Sequence, residues 1–334
     1  MNETQKTLAD SIARELKGLV KLYDFSEAVT VSPLSESENK VYLVTDPARL
    51  EKYVIRVNSG RVTYHSPASI ASELIWMEAL RQDTDIKVPE VMRAKDGSLV
   101  QTIYAPGFDR PRHASIYTFL PGIEPPEDDL IAGFGRLGEI SARMNQHVMN
   151  WERPPEFTRH TWTAMTILDD QLNWGPWQKG VGIEAETLVL LSRLDGVVRD
   201  RLSALPTNRE CYGLIHADLR LANLLVDNGS TAIIDFDDCG DGWYLFDLAT
   251  ALSFLEERPD VPDLIASWLE GYRRVGQISA DMEAEIPTLI MLRRLQLIGW
   301  VGYQQQYLEF ARGIGSDFTV DSCRLAEEYL TRFT

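Results

Sequence analysis

A histidine, two aspartates and an asparagine stand at spacings that suit phosphate and metal chemistry. His216, Asp218 and Asn223 fall in Leu214-Ile215-His216-Ala217-Asp218-Leu219-Arg220-Leu221-Ala222-Asn223, and Asp235 closes the run Ala232-Ile233-Ile234-Asp235. Each polar residue sits where an apolar run ends, which reads as strand, polar loop, strand, tight turn, strand. Asn228-Gly229, between the last two runs, is a hairpin signal. A hairpin there returns the chain and brings Asn223 beside Asp235, at the roughly 4.5–5.5 Å Cβ separation of cross-strand partners. A carboxamide oxygen and a carboxylate at that distance suit a hard cation such as Mg²⁺, which keeps several waters and takes few protein ligands. Asp218, in the loop just before the pair, is placed to act on a substrate beside the metal. Register decides the detail, because a slip of one residue reverses every side chain. A two-residue turn at Asn228-Gly229 pairs Asn223 with Ile234, whereas a three-residue loop through Ser230 pairs it with Asp235. Shared ligation favours the three-residue loop, or a local distortion with the same result.

The order H-x-D-x-x-x-x-N, then Asp twelve residues on, resembles the catalytic core of kinase-fold phosphotransferases. The wording H-A-D-L-R-L-A-N and I-D-F-D-D is similar to the small-molecule branch, which holds the aminoglycoside phosphotransferases, choline kinases and homoserine-kinase-like enzymes, with a bacterial stress-response kinase. The likeness runs from about residue 25 to 310 and is sharp in 214–249. It implies an α+β, protein-kinase-like two-lobed fold: a small, mainly antiparallel amino-terminal lobe and a larger helical carboxy-terminal lobe. It also implies ATP and Mg²⁺, and transfer of the γ-phosphoryl group to a hydroxyl of a small molecule such as an amino alcohol, amino acid, sugar or aminoglycoside-like compound. The alternative within the resemblance is a serine/threonine protein kinase of the bacterial stress type.

Roles follow from the same resemblance. Asp218 accepts or orients the acceptor hydroxyl, Asn223 and Asp235 ligate Mg²⁺, His216 holds the loop, and Asp247 in Phe246-Asp247-Leu248-Ala249 braces it. Arg56, in Tyr53-Val54-Ile55-Arg56-Val57, stands where protein kinases place a lysine that neutralises the α- and β-phosphates. Glu73 on the next helix is its acidic partner, with Glu78 the competing candidate. The nucleotide loop falls on Ser35-Glu36-Ser37-Glu38-Asn39, which lacks glycine, so Ser35 and Ser37 supply hydroxyls and amides in its place. Thr118 and Leu120 at the hinge complete the nucleotide contacts. Arg220, Asp238, Trp243, Arg293 and Trp300 are candidates for the substrate side; Asp237 and Asp238 follow Asp235 where a D-F-G motif has glycine, and either suits a second metal or a substrate amine. Asn145 replaces the histidine that ends a helix in the family.

The elements that must position these residues change type along the chain. After an amphipathic helix carrying Leu8, Ile12, Leu16 and Leu19, short strands dominate to about residue 120: Ala28–Leu34, Lys40–Thr45, Tyr53–Val57 and Ala114–Leu120. One helix, Pro67–Gln82, interrupts them with Ile70, Leu74, Met77 and Leu80 on one face. Helical patterns prevail afterwards, which gives an amino-terminal nucleotide lobe at 1–118, a hinge at 119–122 and a catalytic and substrate lobe at 123–334. Within 334 residues, 44% are hydrophobic and 25% charged, ordinary values for a globular chain. The net charge of −17 argues against nucleic acid as a partner and favours a cationic substrate only slightly. No apolar run reaches membrane-spanning length, and the amino terminus lacks a signal-peptide pattern. Cys211, Cys239 and Cys323 form neither a disulfide framework nor a zinc spacing, so a reducing cytoplasm is the expected setting. A two-metal hydrolase built on His216, Asp218, Asp235, Asp237 and Asp238 would leave Arg56 and Glu73 without a purpose. An inactive nucleotide-binding scaffold is disfavoured by the joint presence of Asp218, Asn223 and Asp235.

Overall fold

The computed structural model describes residues 3–36, 38–60, 65–105, 108–126, 129–169 and 174–333. They fall into two compact units. The first comprises Met1–Gly122 with two distant pieces, Pro154–Thr158 and Asp227–Ile234; the second comprises the remainder. Both pieces lie beyond residue 122 in the sequence.

The first unit opens with α1 (Glu3–Leu19) and then lays down β1 (Thr30–Glu36), β2 (Lys40–Asp46) and β3 (Glu51–Val57). After α2 (Pro67–Asp83) come β4 (Val91–Met92), β5 (Gln101–Ile103) and β6 (Arg112–Thr118). The sheet is antiparallel, in the order β1-β2-β3-β6-β4, with β5 also paired to β6. Residues spaced by two face one side of a strand. Tyr42 and Val44 on β2, and Tyr53, Ile55 and Val57 on β3, therefore turn inward. They share a core with Ile12, Leu16 and Leu19 of α1, and each fully buried aliphatic contributes about 1.5–3 kcal/mol of transfer free energy. α2 begins where Ser66 caps the amide of Ser69 (3.1 Å) and Pro67 takes a first-turn position that needs no N–H. Its predicted face of Ile70, Leu74, Met77 and Leu80 is fully buried. The two short strands β4 and β5 have too few residues for a periodic pattern, and sequence reading passes over them.

The second unit is mostly helical: α3 (Leu130–Asn150), α4 (Ala164–Leu168), α5 (Ala185–Ser203), α6 (Phe246–Ala251), α7 (Val261–Arg273), α8 (Ala280–Ala284), α9 (Ile286–Gln304), α10 (Glu309–Ile314) and α11 (Asp317–Phe333). α3 and α7 meet backbone to backbone. A Cβ on Gly138 would lie 1.9 Å from the Trp268 carbonyl oxygen, and one on Gly271 would lie 1.9 Å from that of Gly135. α3 also lies under the loop that follows β7, where a Cβ on Gly133 would meet the Leu221 side chain at 2.9 Å. α9 is buried on nearly every face, as an apolar helix without a polar side must be. β7 (Tyr212–Ile215) pairs antiparallel with β10 (Gly240–Trp243), Ile215 opposite Gly240 and Leu214 opposite Asp241. This ladder joins the chain entering His216 to the chain leaving Cys239. β8 (Leu224–Asp227) and β9 (Ser230–Ile233) form the hairpin between them.

Candidate active site

The loop that carries His216, Asp218 and Asn223 starts where β7 runs out. His216 is fully buried, accepts the Asp218 amide on Nδ1 (3.3 Å) and packs its ring 4.7 Å from that of Phe236. Ala217 adopts φ +62°, a left-handed conformation that costs an L-residue roughly 1–2 kcal/mol. Asp247, in the first turn of α6, offsets that cost. Its Oδ1 accepts the Ala217 N–H at 2.7 Å and its Oδ2 accepts the His216 N–H at 3.3 Å. Burial raises the Asp247 carboxyl to about 7, opposed by those two amides and reinforced by the charge of Asp218. The brace expected at Asp247 is thus a pair of backbone contacts across thirty-one and thirty residues.

Asp218 is held from several sides. The Asn223 carboxamide nitrogen donates to the Asp218 carbonyl oxygen (2.8 Å) and to its Oδ2 (2.9 Å). Arg293, on α9, donates from Nη2 to Oδ1 at 3.0 Å, and Arg220 Nε lies 3.2 Å from the same oxygen. Burial lowers the Arg293 guanidinium from its ordinary value, while Asp218 and then Asp238 oppose the shift. Asp235 adopts φ +63° and ψ +63° at the head of the short turn Phe236–Asp238. Arg159 fixes the segment beyond it by donating to the carbonyls of Asp237 (2.6 Å) and Cys239 (2.5 Å), and the Trp162 indole donates to that of Asp238 (2.9 Å). Nothing in the local sequence of Arg159 or Trp162 signals these contacts, because their partners are main-chain atoms brought in by the ladder of β7 and β10.

The hairpin turn has two residues. β8 ends at Asp227, β9 starts at Ser230, and Asn228 (φ +47°) and Gly229 (φ +78°) both carry the positive φ of a primed turn. The three-residue loop through Ser230 is therefore corrected. Asn223 and Asp235 do not face each other as ladder partners; Asn223 ends the short helical turn Leu221–Asn223 and Asp235 follows β9 in the left-handed region.

The donor set suits Mg²⁺. With its nitrogen committed to Asp218, Asn223 has its carboxamide oxygen left as an acceptor, and Asp235 adds an exposed carboxylate. Both are hard oxygen ligands, and few protein ligands suffice for this ion. Among the described residues no group of three or more His, Cys, Asp or Glu converges, so the two-metal hydrolase has no ligand cluster.

In the first unit, Arg56 on β3 and Glu73 on α2 form a buried ion pair, Nη2 to Oε2 at 2.7 Å. The Arg56 guanidinium lies over the Tyr117 ring at 5.4 Å. Glu78 is engaged elsewhere, with Arg93 Nε donating to its Oε1 at 3.0 Å. Thr118 is clasped to Glu90: its N–H donates to the Glu90 carbonyl and its hydroxyl accepts the Glu90 N–H, both at 2.9 Å. Leu120 follows on, half-buried, in the stretch after β6. Ser35 lies in β1 rather than in a loop, opposite Val41 beyond a register shift at Pro33; Ser37 lies outside the described residues. The expected loop Ser35–Asn39 is therefore shortened, because β1 runs on to Glu36 and β2 starts at Lys40.

The remaining candidates are placed as follows. Trp243 is buried in β10, its indole donating to the Pro206 carbonyl (3.1 Å) and its ring edge-on to Tyr212, so it supports the ladder that carries the loop. Trp300, on α9, is half-buried with its ring centroid 5.7 Å from that of Phe254. Asn145 donates to the Tyr272 hydroxyl at 3.0 Å and so ties α3 to α7.

Residues 30–284 match the phosphotransferase enzyme family. The chain belongs to that family. Its activity is ATP-dependent phosphoryl transfer. Among solved structures, a microcompartment-associated aminopropanol kinase is 38% identical and superposes with a TM-score of 0.85 over 95% of this chain and 97% of its own. Amicoumacin kinase of Bacillus subtilis is 23% identical over 306 residues, 88% of this chain and 84% of that protein. An uncharacterised protein of Synechocystis is 25% identical over 252 residues, 75% of this chain and 66% of that protein. The small antiparallel lobe and larger helical lobe of the kinase fold are thus present.

Proposed function

We propose that the protein phosphorylates the hydroxyl of a small amino alcohol. The observation that carries this reading is the aminopropanol kinase, 38% identical and matched over nearly the full length of both chains, together with a catalytic loop in which Asp218 is held as an acceptor. In the proposed step the acceptor oxygen bonds to the γ-phosphorus, the bridging bond breaks, ADP leaves with the electron pair, and the hydroxyl proton passes to the Asp218 carboxylate. Asn223 and Asp235 would hold Mg²⁺, which supplies charge neutralisation at the phosphate oxygens when bound. Arg56, kept extended by Glu73, neutralises the α- and β-phosphates, and Thr118 with Leu120 lines the purine. Arg220 serves the γ-phosphate. Asp238, whose charge acts on Arg293, is the proposed counter-ion for the acceptor's ammonium group.

The test is a mass-resolved phosphorylation screen with Mg-ATP over aminopropanol, ethanolamine, choline, homoserine, sugars, aminoglycosides and a casein-like protein. Turnover on short amino alcohols well above the rest is expected. Preferential labelling of the protein substrate would transfer the assignment to the protein-kinase alternative.

A further inference from the structure

Arg293 is 5% exposed in the middle of α9, yet each nitrogen of its guanidinium meets a different group. Nε donates to the Ser253 hydroxyl just past α6 (2.9 Å), Nη1 to Gln296 Oε1 one turn along α9 (2.9 Å), and Nη2 to Asp218 Oδ1 (3.0 Å). Burying a charge is costly unless it is paired and its donors are met. Leu292 and Leu295, its fully buried neighbours, show that an apolar side chain satisfies packing along this helix at lower cost. Arg294 makes an instructive contrast. It bonds Glu256 (2.8 Å) and Ser322 (2.7 Å) and lies 3.7 Å over the Phe318 ring, so it joins α9 to α11. Of these two adjacent buried arginines, Arg293 is the one bonded to the catalytic loop.

Its grip on Asp218 is complementary to that of Asn223. The carboxamide takes Oδ2 and the guanidinium takes Oδ1, so rotation of the carboxylate must break one of the two bonds. Arg220 also approaches Oδ1, but it belongs to the loop itself and is 31% exposed; it travels with the loop. Arg293 is anchored to a different helix, and its anchor is constrained in turn. Phe254 sits at φ +67° immediately after Ser253, an unusual conformation for a bulky residue. Its ring is held among Trp300, Phe310 and Phe318. The strained turn presents the Ser253 hydroxyl to Nε.

We propose that Arg293 is a positioning residue for the reaction: it holds the Asp218 carboxylate in the orientation in which a remaining lone pair receives the acceptor hydroxyl. This rests on the reading of Asp218 as the hydroxyl's partner. Transfer through a loose transition state depends on alignment more than on covalent chemistry. Losing Arg293 therefore lowers kcat and leaves nucleotide binding in place.

The experiment is a double-mutant cycle of Arg293→Gln with Asp218→Asn, read as kcat, as KM for Mg-ATP and as thermal melting. Arg293→Gln should lower kcat about 10–100-fold, since a misplacement near 1 Å costs about that much. KM for Mg-ATP should stay within about 2-fold, because the proposal gives Arg293 a bond to Asp218 and no contact with the nucleotide. In the Asp218→Asn background the same substitution should change kcat less than about 3-fold, because residues acting through one another are not additive. Arg293→Lys, which keeps the charge, should recover part of the rate, and it carries the cycle if Arg293→Gln fails to fold. Equal losses in both backgrounds, or an unchanged kcat, would overturn the proposal. Should the wild-type chain transfer to no hydroxyl offered, the acceptor reading falls by itself. The cycle is then read on Mg-ATP hydrolysis, where the same non-additivity supports the positioning role and additivity or an unchanged rate overturns it.

Discussion

At the scale of single residues, the site is a set of short-range commitments that leave the reactive atoms poised. Asp218→Asn keeps size and hydrogen-bonding capacity but removes the carboxylate proposed to receive the proton. Turnover should fall about 10²–10⁴-fold, the usual contribution of a positioned base, with Mg-ATP affinity by calorimetry nearly unchanged. Arg56→Ala should show the converse. It leaves Glu73 buried without the 2.7 Å partner, at about 3–5 kcal/mol in urea unfolding, and it loses nucleotide affinity as well. Asp247 adds a pH signature. Folded, its carboxyl is raised by burial to about 7, whereas in the unfolded chain it titrates near the ordinary value of about 4. Between those values the folded state binds more protons, so stability from this group is complete below about pH 4 and is lost as pH rises through about 7. Asp247→Asn abolishes that slope. Relative to wild type, its unfolding free energy should improve on the order of 1 kcal/mol per pH unit across that window, as read by urea titrations at several pH values.

At the scale of elements, glycines set how closely the helices under the loop approach. α3 and α7 contact through Gly138 and Gly271, where an added methyl would sit 1.9 Å from a carbonyl oxygen of the facing helix. Backbone cannot yield as a flexible side chain does, so the helices must separate. Gly271→Ala should cost at least the roughly 1–3 kcal/mol of an overpacked core, and Gly138→Ala the same. Gly97→Ala, where nothing lies within 4 Å but φ is +85°, is a control for backbone strain alone. Thermal melting should rank the α3–α7 variants below it, and a Gly271→Ala protein as stable as wild type would contradict the backbone contact. α3 also supports the loop at Leu221, so turnover should fall along with stability.

At the scale of the whole molecule, charge is the property that acts over distance. A net charge of −17 produces a field that attracts cations until salt screens it. Between 20 and 500 mM salt the Debye length shrinks from about 20 Å to about 4 Å. If the acceptor carries an ammonium group, kcat/KM for it should fall by about 2–10-fold over that range through loss of steering. A neutral diol of the same size should show no such trend. Equal salt responses for the two acceptors would mean that the acidic surface serves solubility alone. Among the described residues no helix is long and apolar enough to cross a membrane.

The sequence by itself determined the parts whose signal is local. His216, Asp218, Asn223 and Asp235 are legible because an ordered motif compresses them into one loop and one hairpin. The strands Lys40–Asp46 and Glu51–Val57 and the helix Pro67–Asp83 are legible because periods of 2 and 3.6 residues mark a buried face. The partnership of Arg56 with Glu73 followed from the family pattern. What tertiary structure alone decided was which distant groups meet the loop. Arg293 reaches Asp218 from seventy-five residues away, and Arg159 reaches the carbonyls near Asp235 from about eighty. Trp243, read as a substrate candidate, lies buried in the β7–β10 ladder. The hairpin register was equally out of reach, since two-residue and three-residue turns differ by one step of pairing, and left-handed backbone at Asp235 and Ala217 follows from the contacts around them. Local periodicity encodes which side of an element is buried; the identity of the neighbour on that side depends on the path of the whole chain.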